Sequence, residues 1–310
     1  MKNLKFVVSL TTHDNDYQME QAASTKEAAH RLGIEIEILY ADNDAILQSQ
    51  QLLKVIQSST QPHPDGIIFE PVGATAMPQV ARAAANAGIA WVILNREVEY
   101  LSELRRGCKV PVFSLTSDHE EIGRIQGKQI AALLPHGGSV LLVQGPAENH
   151  AAKQRTTGMY ETKPVNVQVK LMKGNWTESS AHKAVTSWLK LSTSQQASID
   201  LIAAHDDSMA LGSRKAFQDV QDIAMRDRWL ALPFLGIDGM RETGQESVRR
   251  GQLAATIIVP TNTGKAIEML AHALRTGTTP QEKTFTVAKS FPTIEELAKR
   301  PAKKSKAAGM

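Results

Sequence analysis

Short apolar runs alternate with segments of helical periodicity along almost the whole chain. The runs are short and rich in aliphatic and β-branched side chains, which is typical of buried strands. The segments between them carry apolar residues at helical spacing, and several end at glycine, a common C-terminal signal of helices. Strands and helices in alternation build parallel sheets with helices on both faces. The pattern therefore predicts an α/β fold.

Two series of such elements follow each other along the chain. The first predicts strands at 5–10, 34–40, 66–69 and 89–94 and helices at 17–32, 45–58 and 76–87, followed by an irregular segment at 99–111. The second predicts strands at 112–115, 139–143, 165–172, 199–204, 234–237 and 253–260, with a last apolar element at 285–287. Its helices are predicted at 120–134, from position 149, and at 178–191, 207–220, 240–249 and 261–274. We therefore expect two similar α/β halves in tandem.

Composition places the chain among ordinary globular proteins. A length of 310 residues is enough for two domains, and a hydrophobic content of 42% supplies two cores. Cys108 is the one cysteine, so an intrachain disulfide is excluded, and no Cys/His cluster has the spacing of zinc ligands. The net charge of +3 comes from the tail at 299–310, which holds five basic residues and no acid. The rest of the chain, with 30 basic and 32 acidic residues, predicts no nucleic-acid partner, and we expect the basic tail to be disordered.

The cellular location is not fixed by the sequence. No apolar run has the length of a membrane span. The N-terminal residues form one short predicted strand, without the apolar segment and small-residue cleavage site of a signal peptide. Two interpretations follow: a cytosolic protein, or a chain whose leader is not part of this sequence.

Large or charged polar residues follow six of the predicted strands. Asp206 follows an apolar run after one residue, His205, where a helical pattern begins, and Asp238 comes directly after an apolar run and before a glycine. In open α/β sheets, ligands bind at the carboxyl ends of the strands. The alternative is that such residues only cap the following helices, which Asp and Asn do well. Capping does not explain the members of this set that are arginine or tryptophan; the strand-end groups are 11–17, Asn95, Arg96, Asn149, Arg155, Trp176, Asp206 and Asp238.

The chemistry of these residues suits a neutral polyol. Arg96 and Arg155 offer rigid forks of hydrogen-bond donors, the two aspartates offer acceptors, and Trp176 offers an apolar face for a sugar ring. The glycine-rich phosphate-binding motifs and the nucleophile motif GxSxG are absent, so no cofactor and no catalytic residue is predicted. We expect His205 to play a structural part, because no nucleophile accompanies it.

Several motifs in this order and spacing resemble the type I periplasmic sugar-binding proteins, the ribose-binding-protein group, whose fold is shared with the ligand-binding part of LacI-type repressors. The resemblance covers residues 4–292, and the motifs are DGIIFEPV, WVILNRE, SDHEEIGRIQGKQIA, VQGPAENHAAKQRTTGM, AAHDDSMALGSRKAF, LGIDG and GQLAATI. It implies two Rossmann-like lobes with parallel sheets, joined by a three-crossing hinge. The lobes would be residues 1–116 plus 260–287 and residues 117–259 plus 288–298, with the ligand between them and closure by hinge motion.

The resemblance also carries the family's sugar contacts onto this chain. A stacking aromatic is matched by Tyr17, and a second one is replaced by Gln18. The family's Asp-Arg pair becomes Asn95-Arg96, and the family's glutamine falls on Val259. These departures argue against ribose itself and leave a monosaccharide or cyclitol as the class. The expected ligand-binding residues are Asn15, Tyr17, Gln18, Asn95, Arg96, Arg155, Trp176, Asp206, Asp238 and Val259.

Three functions are consistent with this resemblance. The first is the substrate-binding protein of an ABC-type sugar transporter, with a permease as partner, a periplasmic location and a monomeric state. The second is a cytosolic sugar sensor or regulator subunit of the same fold, without a DNA-binding domain. The third, an enzyme that acts on a sugar through Asp206 and Asp238, is the least favoured, and we predict that the protein is not an enzyme.

Overall fold

The chain divides into two units, each built from two separate stretches. The computed structural model describes residues 3–72, 77–195 and 197–299. Unit 1 comprises Met1–Ser117 and Pro260–Val287, and unit 2 comprises Asp118–Val259 and Ala288–Met310. The predicted start of a helix at position 76 and all but the first residue of the tail at 299–310 lie outside the described residues.

In chain order the strands are β1 (Lys5–Leu10), β2 (Glu35–Tyr40), β3 (Gly66–Phe69), β4 (Ala90–Leu94), β5 (Val112–Ser117), β6 (Gly138–Gln144), β7 (Val167–Lys173), β8 (Leu201–Ala204), β9 (Phe234–Leu235), β10 (Thr256–Ile258), β11 (Lys283–Thr286) and β12 (Lys289–Phe291). The helices are α1 (Asp16–Leu32), α2 (Ala45–Ile56), α3 (Pro78–Asn86), α4 (Leu101–Gly107), α5 (His119–Leu133), α6 (His150–Thr162), α7 (Glu178–Leu189), α8 (Ser192–Gln195), α9 (Asp207–Gln218), α10 (Ile223–Leu230), α11 (Gly244–Arg249), α12 (Thr263–Thr276) and α13 (Ile294–Ala298).

Unit 1 is a six-stranded parallel sheet in the order β2-β1-β3-β4-β5-β11. Successive side chains of a strand point to opposite faces, and both faces are apolar here. In β1, Phe6 and Val8 pack with α1 and α12 on one face, while Val7 packs with α2 and α3 on the other. The sheet therefore lies between two helical layers, which explains why its strands are continuous apolar runs.

Unit 2 is a four-stranded parallel sheet in the order β7-β6-β8-β9, extended on one side. Bridges from Leu235 to Ala255 and from Asp238 to Ile258 set β10 parallel to the β9 end. Strand β12, from the second stretch, then pairs with β10 in antiparallel direction. Leu297 of α13 is fully buried in the core that α5 and α6 form with one face of the sheet, so the last described residues complete this unit.

The α/β fold predicted from the sequence is confirmed in both units, with local corrections that include an unpredicted helix α8 and a later start of the helix expected at 240–249. The segment 99–111, expected to be irregular, contains α4, which has too few residues to show helical periodicity. Helix α10 was not predicted either, because Trp229 is its one buried side chain. Strand β12 and helix α13 are short additions that the apolar pattern did not reveal. The expected strand at 253–260 is shorter, and its partner β12 is antiparallel.

Among the described residues, neither a membrane-spanning helix nor a metal-binding cluster is found. None of the described helices is both long and apolar enough to cross a membrane. Within the same residues, no group of three or more His, Cys, Asp or Glu side chains is placed to hold a metal ion.

Candidate functional site

Five of the predicted ligand-binding residues lie at the carboxyl ends of β1 and β4 in unit 1. All five have polar side-chain atoms, and each residue is nevertheless less than a tenth exposed. They are Asn15, Tyr17, Gln18, Asn95 and Arg96. Asn15 is the N-cap of α1, and its Oδ1 accepts the backbone N–H groups of Tyr17 and Gln18 at 2.9 and 3.3 Å. The capping alternative therefore applies to Asn15, which fixes the start of the helix that carries its two neighbours.

A buried glutamate that the sequence analysis did not single out joins these residues. Glu70 follows β3 directly and is 6% exposed. Its Oε2 accepts hydrogen bonds from Gln18 Nε2 at 2.9 Å and from Asn95 Nδ2 at 3.0 Å. Gln48 Nε2 of α2 donates to the Glu70 backbone carbonyl at 2.8 Å. An acid directly after an apolar run is the signal that singled out Asp238, and the same signal is present at Glu70 in FEPV.

The second stretch of unit 1 anchors the same network. Asn262 Nδ2 donates to Asn95 Oδ1 at 2.6 Å, and Tyr17 OH donates to the Pro260 carbonyl at 3.1 Å. Arg96 Nη1 donates to the Asn95 carbonyl at 2.8 Å. Asn95 thus uses its side-chain amide and its backbone to join strand ends from both stretches of the unit.

Unit 2 gathers a guanidinium, an indole and a carboxylate. Arg155 of α6 lies with its Cζ 5.5 Å from the centroid of the Trp176 ring, a cation–π distance. Its Nη2 is 4.0 Å from Asp238 Oδ1, and its Nη1 donates to the His205 carbonyl. Helices α5 and α6 approach closely enough to set this arginine in place, because a Cβ at Gly123 would overlap the Arg155 carbonyl and one at Gly158 would overlap that of Glu120.

His205 packs its ring against the Trp176 ring of this group. Its ring stacks on that of the half-buried Trp176, with centroids 6.3 Å apart and an interplanar angle of 26°. Burial, with a smaller contribution from the Arg155 charge, lowers the pKa of His205 from 6.5 to about 3, so the ring is neutral at physiological pH. Its Nδ1 accepts the Gly145 N–H at 3.3 Å, which assigns the ring proton to Nε2. The neutral ring therefore links the Trp176 indole to the backbone at Gly145.

Three of the predicted residues have left-handed backbone conformations, which are unusual for residues other than glycine. The φ angles are 54° at Asn95, 60° at Trp176 and 106° at Asp238. Such conformations cost about 1–3 kcal/mol each and persist where the surroundings enforce them, often at functional sites. At Asp238 the enforcing group is Asp207, whose carboxylate accepts the Gly239 N–H at 2.8 Å and the Thr256 hydroxyl at 2.7 Å.

Two predicted residues are placed differently from the rest. Asp206 is 1% exposed and is the N-cap of α9, where Oδ1 accepts the Met209 N–H. Val259 is 1% exposed, and its side chain has no polar atom, while its N–H donates to the Asp238 carbonyl at 3.0 Å. Asp206 therefore holds a helix start beside His205, and Val259 supports the strand end that carries Asp238.

Sheets of parallel strands whose carboxyl ends carry buried polar side chains define a ligand-binding protein of the α/β class. The chain belongs to the periplasmic binding protein domain family, whose sequence profile matches residues 6–279. The family resemblance inferred from the sequence motifs, to the type I sugar-binding proteins, is thereby confirmed.

Individual relatives extend this similarity. The D-allose-binding periplasmic protein of Escherichia coli (strain K12) is 24% identical over 257 residues, which cover 82% of this chain and 78% of that protein. A putative rhizopine-binding protein of Rhizobium meliloti is 28% identical over 206 residues, or 64% of this chain and 61% of that protein. The crystal structure of a galactofuranose binding protein covers 95% of this chain and 97% of its own, with a TM-score of 0.79 and 21% identity, a likeness of fold.

Proposed function

We propose that this protein is the substrate-binding component of an ABC-type sugar transporter and that it binds a monosaccharide or cyclitol. The observation that carries the proposal is the group in unit 2 in which Arg155 lies on the Trp176 ring and 4.0 Å from Asp238 Oδ1. Relatives of this chain are named for D-allose and rhizopine binding. Their names describe binding proteins, which supports a binding role for this chain in place of catalysis.

The chemistry of this group matches a ring with adjacent hydroxyls. Each hydroxyl donates one hydrogen bond and accepts others, so one hydroxyl accepts from the guanidinium while its neighbour donates to the carboxylate. The indole face of Trp176 packs against the apolar C–H face of the ring. A phosphate or carboxylate ligand would bring a second negative charge beside Asp238, so a neutral or cationic polyol is favoured over an anionic one.

We propose that unit 1 contributes to the same ligand through the residues at the ends of β1, β3 and β4. Tyr17 offers an aromatic face, and Asn95 is held at its unusual φ angle of 54° by hydrogen bonds to both stretches of the unit. The domain organisation expected from the family, two lobes that close by hinge motion, remains part of this proposal. So does the periplasmic location, which rests on the family and on the relatives named as periplasmic proteins.

Calorimetric titration with a panel of neutral hexoses, pentoses and inositols tests the function directly. We expect Arg155→Ala or Asp238→Ala to weaken binding by about 2–3 kcal/mol, because each removes one member of a buried ion pair and leaves the other charge without it. The matched controls are Arg250→Ala and Asp227→Ala, which remove exposed residues of the same types in the same unit.

The control variants are expected to bind like the parent protein. Unchanged affinity in both site variants would refute the assignment of the site. Absence of binding to every polyol in the panel would refute the proposed function itself. Mass spectrometry of ligand released from freshly purified protein then identifies the sugar, and recovery of an unmodified sugar supports binding without catalysis.

A further inference from the structure

Glu70 is a buried acid that forms no ion pair with a lysine, arginine or histidine among the described residues. The groups that reach its carboxylate are the side-chain amides of Gln18 and Asn95, and both donate to Oε2. Among residues 3–72, 77–195 and 197–299, none donates a hydrogen bond to Oε1, and no lysine, arginine or histidine forms an ion pair with the carboxylate. A carboxylate that is 6% exposed in this way is costly unless something else pairs with it.

Two side-chain amides converge on this carboxylate. Gln18 and Asn95 each supply an amide N–H₂ that donates to Glu70 Oε2. An aspartate at position 95 would place a second negative charge within 3.0 Å of the first, which is strongly unfavourable. The negative charge of this network therefore lies at the end of β3, and neutral amide donors face it.

The amide donors also fix the direction of the carboxylate. With Oε2 held by two hydrogen bonds and the Glu70 backbone tied to Ser9 and Gln48, Oε1 is a preformed acceptor at the strand ends of unit 1. We infer that Glu70 binds a positively charged amino group of the ligand, so the preferred substrate is an amino sugar or an aminocyclitol. This inference rests on the proposed function and specifies its substrate class.

The experiment compares matched ligand pairs that differ in one amino group. The pairs are D-glucosamine and D-glucose, D-galactosamine and D-galactose, and an amino-inositol and myo-inositol, titrated by calorimetry at pH 6.5, where the amines are cationic. The parent protein is expected to bind the amino member of at least one pair about tenfold or more tightly than its neutral counterpart.

The variant Glu70→Gln keeps the shape of the side chain and removes its charge. It is expected to weaken binding of the amino member at least tenfold and of the neutral member by less, so that the amino preference falls to within about threefold, since the ion pair is what is lost. Glu70→Asp keeps the charge with a shorter reach and is expected to retain part of the preference. Glu27→Gln, an exposed residue on α1 of the same unit, is the matched control and is expected to leave both affinities unchanged.

The remaining results would overturn this inference, and one of them would overturn the proposed function as well. Equal or weaker binding of every amino ligand by the parent protein overturns the inference, and so does an amino preference that survives Glu70→Gln. If Glu70→Gln weakens both members of a pair equally, Glu70 only supports the fold and the inference is overturned. Tight binding of neutral sugars with no amino preference removes this inference but leaves the proposed function standing, whereas no binding of any polyol removes both.

Discussion

His205 is a single residue whose protonation is tied to folding. Its imidazole is fully buried beneath Trp176, and burial together with the Arg155 charge lowers its pKa to about 3. In the unfolded chain a histidine has a pKa near ~6.5. Between these two values the unfolded state binds one proton more than the folded state. Stability is therefore retained above pH ~6.5 and lost as the pH falls toward 3.

The variant His205→Asn separates this effect from other titrating groups. Asparagine keeps an acceptor for the Gly145 N–H and does not titrate, so its unfolding free energy is expected to depend less steeply on pH. The two proteins should differ in slope by up to about 1.4 kcal/mol per pH unit between pH 6 and 4. Urea unfolding at pH 7.5, 6, 5 and 4 measures both slopes, and parallel curves would contradict the prediction.

At the residue scale, the sequence pattern did not distinguish a helix cap from a residue of the buried hydrogen-bond network. An acid near the end of an apolar strand drew attention to Asp206, which caps α9, while Glu70, also an acid at a strand end, lies at the centre of a hydrogen-bond network. Sequence pattern alone does not separate these two cases, because capping depends on local backbone geometry and the network depends on residues far apart in the chain. Asn262 and Glu70 are 192 positions apart and meet through Asn95.

At the scale of an element, the end of β6 sets the orientation of the indole. Gly145 follows this strand, and a methyl group there would overlap Cζ2 of Trp176. We expect Gly145→Ala to displace the ring from Arg155 and to weaken ligand binding about five- to tenfold, the order expected for loss of one aromatic contact. Calorimetry with the ligand identified by mass spectrometry measures the effect.

Gly107 provides the control for Gly145→Ala, because no side chain lies close to it. Gly107 ends α4, and an added methyl group there meets no atom within 4 Å. Gly107→Ala is expected to bind ligand like the parent protein, while circular dichroism shows whether both variants keep their secondary structure. Parent-like affinity in Gly145→Ala would show that the position of the Trp176 ring does not matter for binding.

The elements differ in how well the sequence predicted them. Strands β1, β3 and β4 match their predictions within one residue because both faces of the sheet are buried, which produces uninterrupted apolar runs. Helix α10 was not predicted because it buries one large side chain, and β10 was predicted too long because its pairing is determined by β12 across the second stretch of unit 2. Tertiary pairing of distant segments is the information that a local pattern lacks.

At the scale of the whole molecule, the last described residues are built into the core of unit 2. Strand β12 pairs with β10, Gln129 Nε2 of α5 donates to Ser290 Oγ at 2.9 Å, and Leu297 is fully buried in the core of unit 2. We expect Leu297→Ala to lower the unfolding free energy by about 2–5 kcal/mol because it leaves a cavity. Thermal and urea unfolding measure the loss.

The neighbouring Glu295 provides the comparison, since it is exposed on the same short helix. Glu295→Ala is expected to change the unfolding free energy by less than about 0.5 kcal/mol. Equal stability of Leu297→Ala and the parent protein would mean that α13 contributes nothing to the fold of unit 2.

The interrupted course of the chain has a consequence for biosynthesis. Helix α12 packs on α1, and β11 pairs with β5, yet both come from Pro260–Val287. During translation, 142 residues of unit 2 are synthesised between Ser117 and Pro260, where the stretch that supplies α12 and β11 begins. The nascent chain thus exposes an unfinished apolar layer of unit 1 until the stretch Pro260–Val287 has been synthesised.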